Sequence, residues 1–217
     1  MAKGLTRGVF ITFEGPEGSG KSTHSRRVYE DLAADGYQAV HTAEPGGTSL
    51  GERVREVLLE KEEISLGAQA ELFLFEADRA QHVEEVIIPE LAARKIVICD
   101  RFNTATFAYQ GYGLGMDMDL VRTLDQAATG GLCPELTILM DIDVETGLAR
   151  AGAGRAADRM EKRARAFHEK VRQGYLDLAG QHPDRIKVIK VRDDKNETYA
   201  LVKKEVYAAI ERYKGPE

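Results

Sequence analysis

The chain has 217 residues, 43% hydrophobic and 30% charged, a balance that excludes disordered, collagen-like and coiled-coil chains. Thirty basic residues against 36 acidic ones leave a formal charge of −6, which repels a phosphate backbone and argues against a general nucleic-acid binder. The length suits one large domain, expected here to span 1–217. Two cysteines without CxxC spacing build no disulfide framework, and Cys99, closing an apolar run, reads as a packed core thiol. Residues 1–8 hold no apolar signal segment, and no run reaches the ~18 apolar residues a bilayer demands. The expectation is a cytoplasmic protein with no membrane partner.

In chain order, a strand over 9–14 leads into a glycine-rich loop and a helix over 21–35. A strand over 38–43 and helices over 51–60 and 68–93 follow, then a strand over 96–99 and a helix over 117–129. Next come a strand over 136–142, helices over 144–151 and 160–180, a strand over 186–191 and a helix over 195–213. In the last helix Tyr199, Val202, Val206, Ile210 and Tyr213 mark one stripe at helical spacing. Strand and helix in alternation predict an α/β fold with a parallel sheet, because parallel neighbours need crossover helices. The strands are apolar throughout, as expected of a sheet covered on both faces. No repeat or linker divides the chain.

Gly15-Pro16-Glu17-Gly18-Ser19-Gly20-Lys21-Ser22 satisfies the G-x-x-x-x-G-K-[ST] pattern between a strand and a helix. Glycines let successive backbone N–H groups turn inward on phosphate oxygens, and the helix start adds partial positive charge. Lys21 is placed to reach the outer phosphates of ATP and Ser22 to hold Mg²⁺. Glu17 is out of place in such a loop, since a carboxylate repels bound phosphate. It faces either an acceptor hydroxyl or solvent.

Three further features concern the acceptor. In the helix over 68–93 the stripe Leu72, Phe75, Arg79, Val83 and Val86 is apolar except for Arg79. Phe75 and Arg79, four apart, share a face, and an aromatic plate beside a planar donor suits a nucleobase. The alternative is a snorkelling arginine over a core phenylalanine. Asp100-Arg101 ends a strand, where open α/β sheets bind ligands; Asp100 can orient Mg²⁺ and Arg101 clamp a phosphate, unless the two form a surface ion pair. Between Arg150 and Arg165 lie Arg155, Arg159, Lys162 and Arg163, behind the small-residue stretch Ala151-Gly152-Ala153-Gly154. That pattern reads as an arginine-bearing lid at about 150–160, or as a solvated basic face, the latter more for Lys162, Arg163 and Arg165.

Together the segments FEGPEGSGKST (13–23), EPGGTSLGE (44–52), LFEADRAQH (74–82), DRFNTATFAYQG (100–111) and DRME (158–161) resemble the thymidylate kinase family. The resemblance implies a three-layer P-loop NTPase fold with a five-stranded parallel sheet, and the reaction of MgATP with dTMP to give ADP and dTDP. It implies that the loop residues from Gly15 through Pro16, Glu17, Gly18, Ser19, Gly20, Lys21 and Ser22 to Thr23 bind ATP, with Ser22 and Asp100 toward Mg²⁺. Phe75 would stack on thymine, Arg79 would bond its O4 and Thr106 would lie near its edge. Arg101 would take the dTMP phosphate, Tyr109 would lie on the deoxyribose with Gln110 beside it, and Glu17 would stand close to the acceptor sugar and phosphate. A homodimer is implied, with the helix over 117–129 (Leu120, Val121, Leu124) as a candidate face.

The chain departs from the family pattern at three places. Ala43 stands where arginine is usual before Glu44, and Ala105 where serine is usual before Thr106. Gly152 and Gly154 occupy two lid positions that usually carry arginine, which nominates Arg155 as the catalytic substitute, ahead of Arg150 and Arg159. A kinase for another deoxynucleoside monophosphate or a deoxynucleoside, and a non-catalytic nucleotide-binding module, are the competing expectations.

Overall fold

A computed structural model describes residues 4–60, 64–153 and 158–215. Strands β1 (Val9–Glu14), β2 (Ala39–Ala43), β3 (Ile96–Asp100), β4 (Leu136–Asp141) and β5 (Ile186–Lys190) form one sheet in the order β2-β3-β1-β4-β5. All pairs are parallel, with Val9 opposite Ile96 and Ile11 opposite Leu136. β1 is central, and every residue of it is buried, which is why it reads VFITFE without polar alternation.

The helices are α1 (Lys21–Ala34), α2 (Ser49–Arg55), α3 (Ala68–His82), α4 (Ile88–Ala92), α5 (Asn103–Thr106), α6 (Met118–Thr129), α7 (Val144–Ala151), α8 (Arg165–Gln181) and α9 (Lys195–Glu211). Val9, Ile11 and Phe13 point to one face of the sheet, where they pack with Val28 and Leu32 of α1 and Val202, Val206 and Ile210 of α9. Phe10, Val97 and Cys99 meet Val83, Ile87 and Phe102 on the other face. Leu139 is covered there by Tyr109 and by Val171, Tyr175 and Leu178 of α8. Burial of each such large side chain contributes about 1.5–3 kcal/mol, so the sheet is held from both sides. Cys99 is the packed thiol expected of it.

The helices depart from expectation in three places. The predicted helix over 68–93 widens into a π-helical turn over Val83–Ile87 before α4, immediately ahead of Pro89, which has no N–H to continue the ladder. The helix predicted from 160 begins at Arg165. Asp158 Oδ1 accepts the N–H groups of Met160 (2.8 Å) and Glu161 (2.9 Å), diverting them from helical bonding. Residues 103–113, read only as a motif, are helical: α5 runs into a π-helical segment, Phe107–Gly113. Its threonines, aromatics and glycines are weak helix formers, and packing of Ala108, Tyr109 and Tyr112 against α8 decides its form.

Because all strands run one way, their C-terminal ends share one edge. Phe13 and Ala43 both lie in register with Asp100, so the loops after β1, β2 and β3 leave the sheet side by side. The bonds from Glu44 N to Asp100 O (3.0 Å) and from Arg101 N to Phe13 O (2.9 Å) extend the ladder into those loops.

Candidate active site

The loop after β1 wraps as its glycines require. Gly15 has φ +140° and Gly18 φ +66°, and a Cβ at Gly18 would lie 1.9 Å from the carbonyl oxygen of Gly147. Gly20, also left-handed, opens α1 without a side-chain cap, which leaves the first N–H groups of the helix directed at the loop. Lys21 Nζ lies inside the loop and donates to the carbonyls of Gly15 (2.9 Å) and Pro16 (2.8 Å). Burial, with Arg101 nearby, lowers the Lys21 ammonium to about 8 against the pull of Glu17, Asp100 and Glu14.

Beside the loop, Glu17 is neither solvated nor unpaired. Both its oxygens accept from Arg101 Nη2 at 3.0 Å, and Tyr109 donates its hydroxyl to Oε1 at 2.6 Å. Burial pushes the Glu17 carboxyl up, but Arg101, Lys21 and the Tyr109 bond outweigh it and hold the group at about 2. Arg101 has φ +70°, an unfavourable backbone for a residue with a Cβ. The surroundings over-determine it: Phe13 O takes its N–H, and Glu14 Oε1 takes the following N–H, that of Phe102, at 2.8 Å. Glu14 is fully buried, and its other oxygen accepts the Tyr175 hydroxyl at 3.0 Å. Desolvation raises the Glu14 carboxyl to about 7 despite Arg101 and Lys21. A surface ion pair between Asp100 and Arg101 is excluded; Arg101 pairs with Glu17.

Arg79 does not snorkel. It is 1% exposed, with Nε on Glu44 Oε2 (3.0 Å), Nη1 on Glu76 Oε1 (2.8 Å) and Asp125 3.8 Å away. Burial alone would lower its guanidinium; the three carboxylates outweigh that and raise it. Glu44 is braced in turn by His82 Nδ1 (2.9 Å), whose Nε2 meets Thr42 Oγ1 (2.7 Å).

These groups surround one cavity of about 780 Å³. Its wall includes the loop from Glu17 to Thr23, and also Phe75, Arg79, Asp100, Arg101, Thr106, Tyr109 and Gln110. Gly15 and Pro16 are not on the wall, since they shape the loop and hold Lys21. Ala43 and Ala105 line the same space, so two of the three departures from the family pattern fall on it. Arg150 lines it too, 3.5 Å from Asp193. Arg155 lies outside the described residues, as does the whole span 154–157. Arg159 turns away, toward Leu66 O (3.3 Å) and Glu71 (3.6 Å), and Arg163, for which a solvated face was the weightier alternative, bonds Glu71 at 2.6 Å. Arg165 is the exposed basic residue expected, between Glu145 and Glu169.

Sequence reasoning missed the far end of the cavity, where His24, Arg192, Asp193, Lys195 and Thr198 line the wall and His24 stacks on Tyr199 at 5.9 Å. The polar run Arg192 to Lys195 after the last strand was the available signal. Glu14, Glu71 and Tyr175 were missed as well, because a lone carboxylate in a strand or helix carries no pattern. Asp100 Oδ1 is buried without a hydrogen-bond partner on the wall that Ser22 shares, an oxygen donor set that suits a hard cation such as Mg²⁺.

A family model described as thymidylate kinase matches residues 13–202. The chain belongs to the thymidylate kinase family. A thymidylate kinase of Desulfovibrio desulfuricans is 50% identical over 188 residues, covering 83% of this chain and 87% of that one. One from Ectopseudomonas mendocina is 46% identical over 203 residues, covering 94% and 95%. The crystal structure of thymidylate kinase from Ehrlichia chaffeensis superposes with a TM-score of 0.76 at 37% identity, covering 93% of this chain and 99% of that one. The five-stranded parallel sheet is therefore that of a thymidylate kinase, and the family is a family of nucleotide kinases that use ATP. Among the described residues no helix is long and apolar enough to cross a membrane.

Proposed function

We propose that this member of the thymidylate kinase family moves the γ-phosphate of ATP to dTMP, giving ADP and dTDP, in the cavity between the glycine loop and α3. The observation that carries the reading is the continuity of that cavity. The loop and Lys21 form its floor, the Arg101–Glu17 pair flanks them, and Phe75 and Arg79 stand on a further wall. Family membership supports both substrates.

The glycine loop and the start of α1 bind the ATP phosphates, and Lys21 leaves the Gly15 and Pro16 carbonyls for the outer phosphates. Ser22 and Asp100 would hold Mg²⁺, which would supply neutralisation of phosphate charge. Phe75 stacks on the thymine ring and Arg79, fixed by its carboxylates, serves the base edge with Thr106. Arg101 clamps the acceptor phosphate, and Tyr109 with Glu17 packs against the sugar, with Gln110 alongside. Transfer passes through a loose transition state, so positioning and charge stabilisation supply the rate. The acceptor phosphate is already anionic, and no general base is required. Arg155 is nominated for the transferring group on its place in the sequence. We also propose a cytoplasmic homodimer; Phe73 on α3 (53% exposed) and Leu120 on α6 (37% exposed) support it as apolar groups on neighbouring helices.

The test is ADP release with MgATP and a panel of dTMP, dUMP, dCMP, dGMP and thymidine. Preference for dTMP is expected. Preference for another monophosphate overturns the acceptor assignment, and ATP binding with no turnover on any acceptor overturns catalysis.

A further inference from the structure

Glu71 opens the cavity-facing side of α3, four residues before Phe75 and eight before Arg79, so the three stand one above another on the helix. It is 1% exposed, and a carboxylate that deep is tolerated only with its oxygens occupied. Oε1 accepts from Gln110 Nε2 at 3.0 Å. Oε2 accepts from Arg163 Nη2 at 2.6 Å and has Arg159 Nη2 at 3.6 Å.

Two consequences follow from those bonds. A carboxylate only accepts, so it fixes the Gln110 amide with its nitrogen toward Glu71. The acceptor oxygen of the amide is the atom left for the cavity that Gln110 lines. The same carboxylate holds the stretch from Asp158 to Arg163, whose Asp158, Met160 and Glu161 also line the cavity. Arg159 adds its bond to Leu66 O, and the Arg163 guanidinium lies 4.7 Å over the Phe167 ring. One buried side chain thus joins two walls that are about fifty residues apart in sequence.

We infer that Glu71 is a positioning residue for the acceptor nucleotide, orienting the Gln110 amide and holding the 158–163 wall against it. The inference rests on the dTMP kinase reading above. No contact of Glu71 with dTMP is involved; it acts through Gln110 and Arg163.

Initial-rate kinetics on the full chain test it, with Glu71→Gln, Gln110→Ala, the double variant and Arg163→Gln. Glu71→Gln keeps the size and removes the charge. It should raise KM for dTMP about tenfold while kcat and KM for ATP stay within about threefold. In the Gln110→Ala background the same change should add less than about twofold, because the partner is already gone. Arg163→Gln, at a half-buried side chain, should raise KM for dTMP about threefold and carries the test should Glu71→Gln fail to fold. Equal shifts in both KM values, full additivity, or an unchanged KM for dTMP in a folded variant overturns the inference. Wild-type enzyme that ignores dTMP would instead overturn the reaction and remove the ground for the inference with it.

Discussion

The donor and acceptor halves of the cavity are built differently. The donor loop is one unbroken stretch over 15–22, made mostly of backbone, and its demands are met by glycines at positive φ and by one lysine. The acceptor wall gathers side chains from the loop after β1, from the stretch after β2, from α3 and from the stretch after β3, locked by ion pairs among Glu17, Arg101, Glu44, Arg79 and Glu76. A backbone cradle binds what all nucleoside triphosphates share. A side-chain wall discriminates, since each group on it has its own direction and charge.

The largest effect should come from breaking the cradle with a single methyl group. Gly18→Ala sets a Cβ against the Gly147 carbonyl on a left-handed backbone, and the loop has to move. Turnover under kcat/KM(ATP) conditions should fall by about 10³ or more, on the scale of losing several phosphate-binding donors. Normal ATP kinetics in that variant would show that the loop is not held as described.

On the acceptor side, Arg101→Gln removes one charged fork and should raise KM for dTMP about a hundredfold, with a smaller change in KM for ATP. Steady-state kinetics with each substrate varied in turn separates the two. Equal losses for both substrates would erase the division between donor and acceptor walls.

The smallest effect concerns the buried support behind Arg101. Folded Glu14 keeps its proton up to about pH 7, whereas an unfolded glutamate releases it near its ordinary value of 4.5. The stability it contributes is full below 4.5 and is lost as pH rises through 7. Glu14→Gln removes that dependence, so the variant's melting temperature relative to wild type should be more favourable at pH 8 than at pH 5, by on the order of 3 °C or more. Asp78, raised to about 7 mainly by burial, keeps some of the wild-type slope in both proteins. An offset that is the same at both pH values would mean that Glu14 is ionised throughout.

These comparisons also mark what was readable before the fold was known. The five strands were legible to within a residue or two, because a strand buried on both faces must be apolar along its length, and Val9–Glu14 could be little else. The segment 103–113 was not legible as helix, because its local preferences oppose the form that α8 imposes. Arg163 read as part of a lid or, with more weight than its neighbours, of a solvated basic face, and is instead paired with a carboxylate from α3. Neither residue carries a sign of the other, since they are brought together only by the packing of α3 against the stretch ahead of α8.

Sequence alone determined the donor loop, since its chemistry is contiguous: strand, glycines, lysine, serine and helix follow one another in the chain. It also singled out Phe75, Arg79 and Arg101, through one polar residue on an apolar stripe and one charged pair at a strand end. Tertiary structure alone decided that Glu17 faces Arg101, that three carboxylates surround Arg79, and that Glu14 and Glu71 lie behind the wall. The reason is physical. A buried charge is stable only where distant segments deliver its partners, and that delivery is set by the geometry of the sheet and its helices rather than by any local pattern.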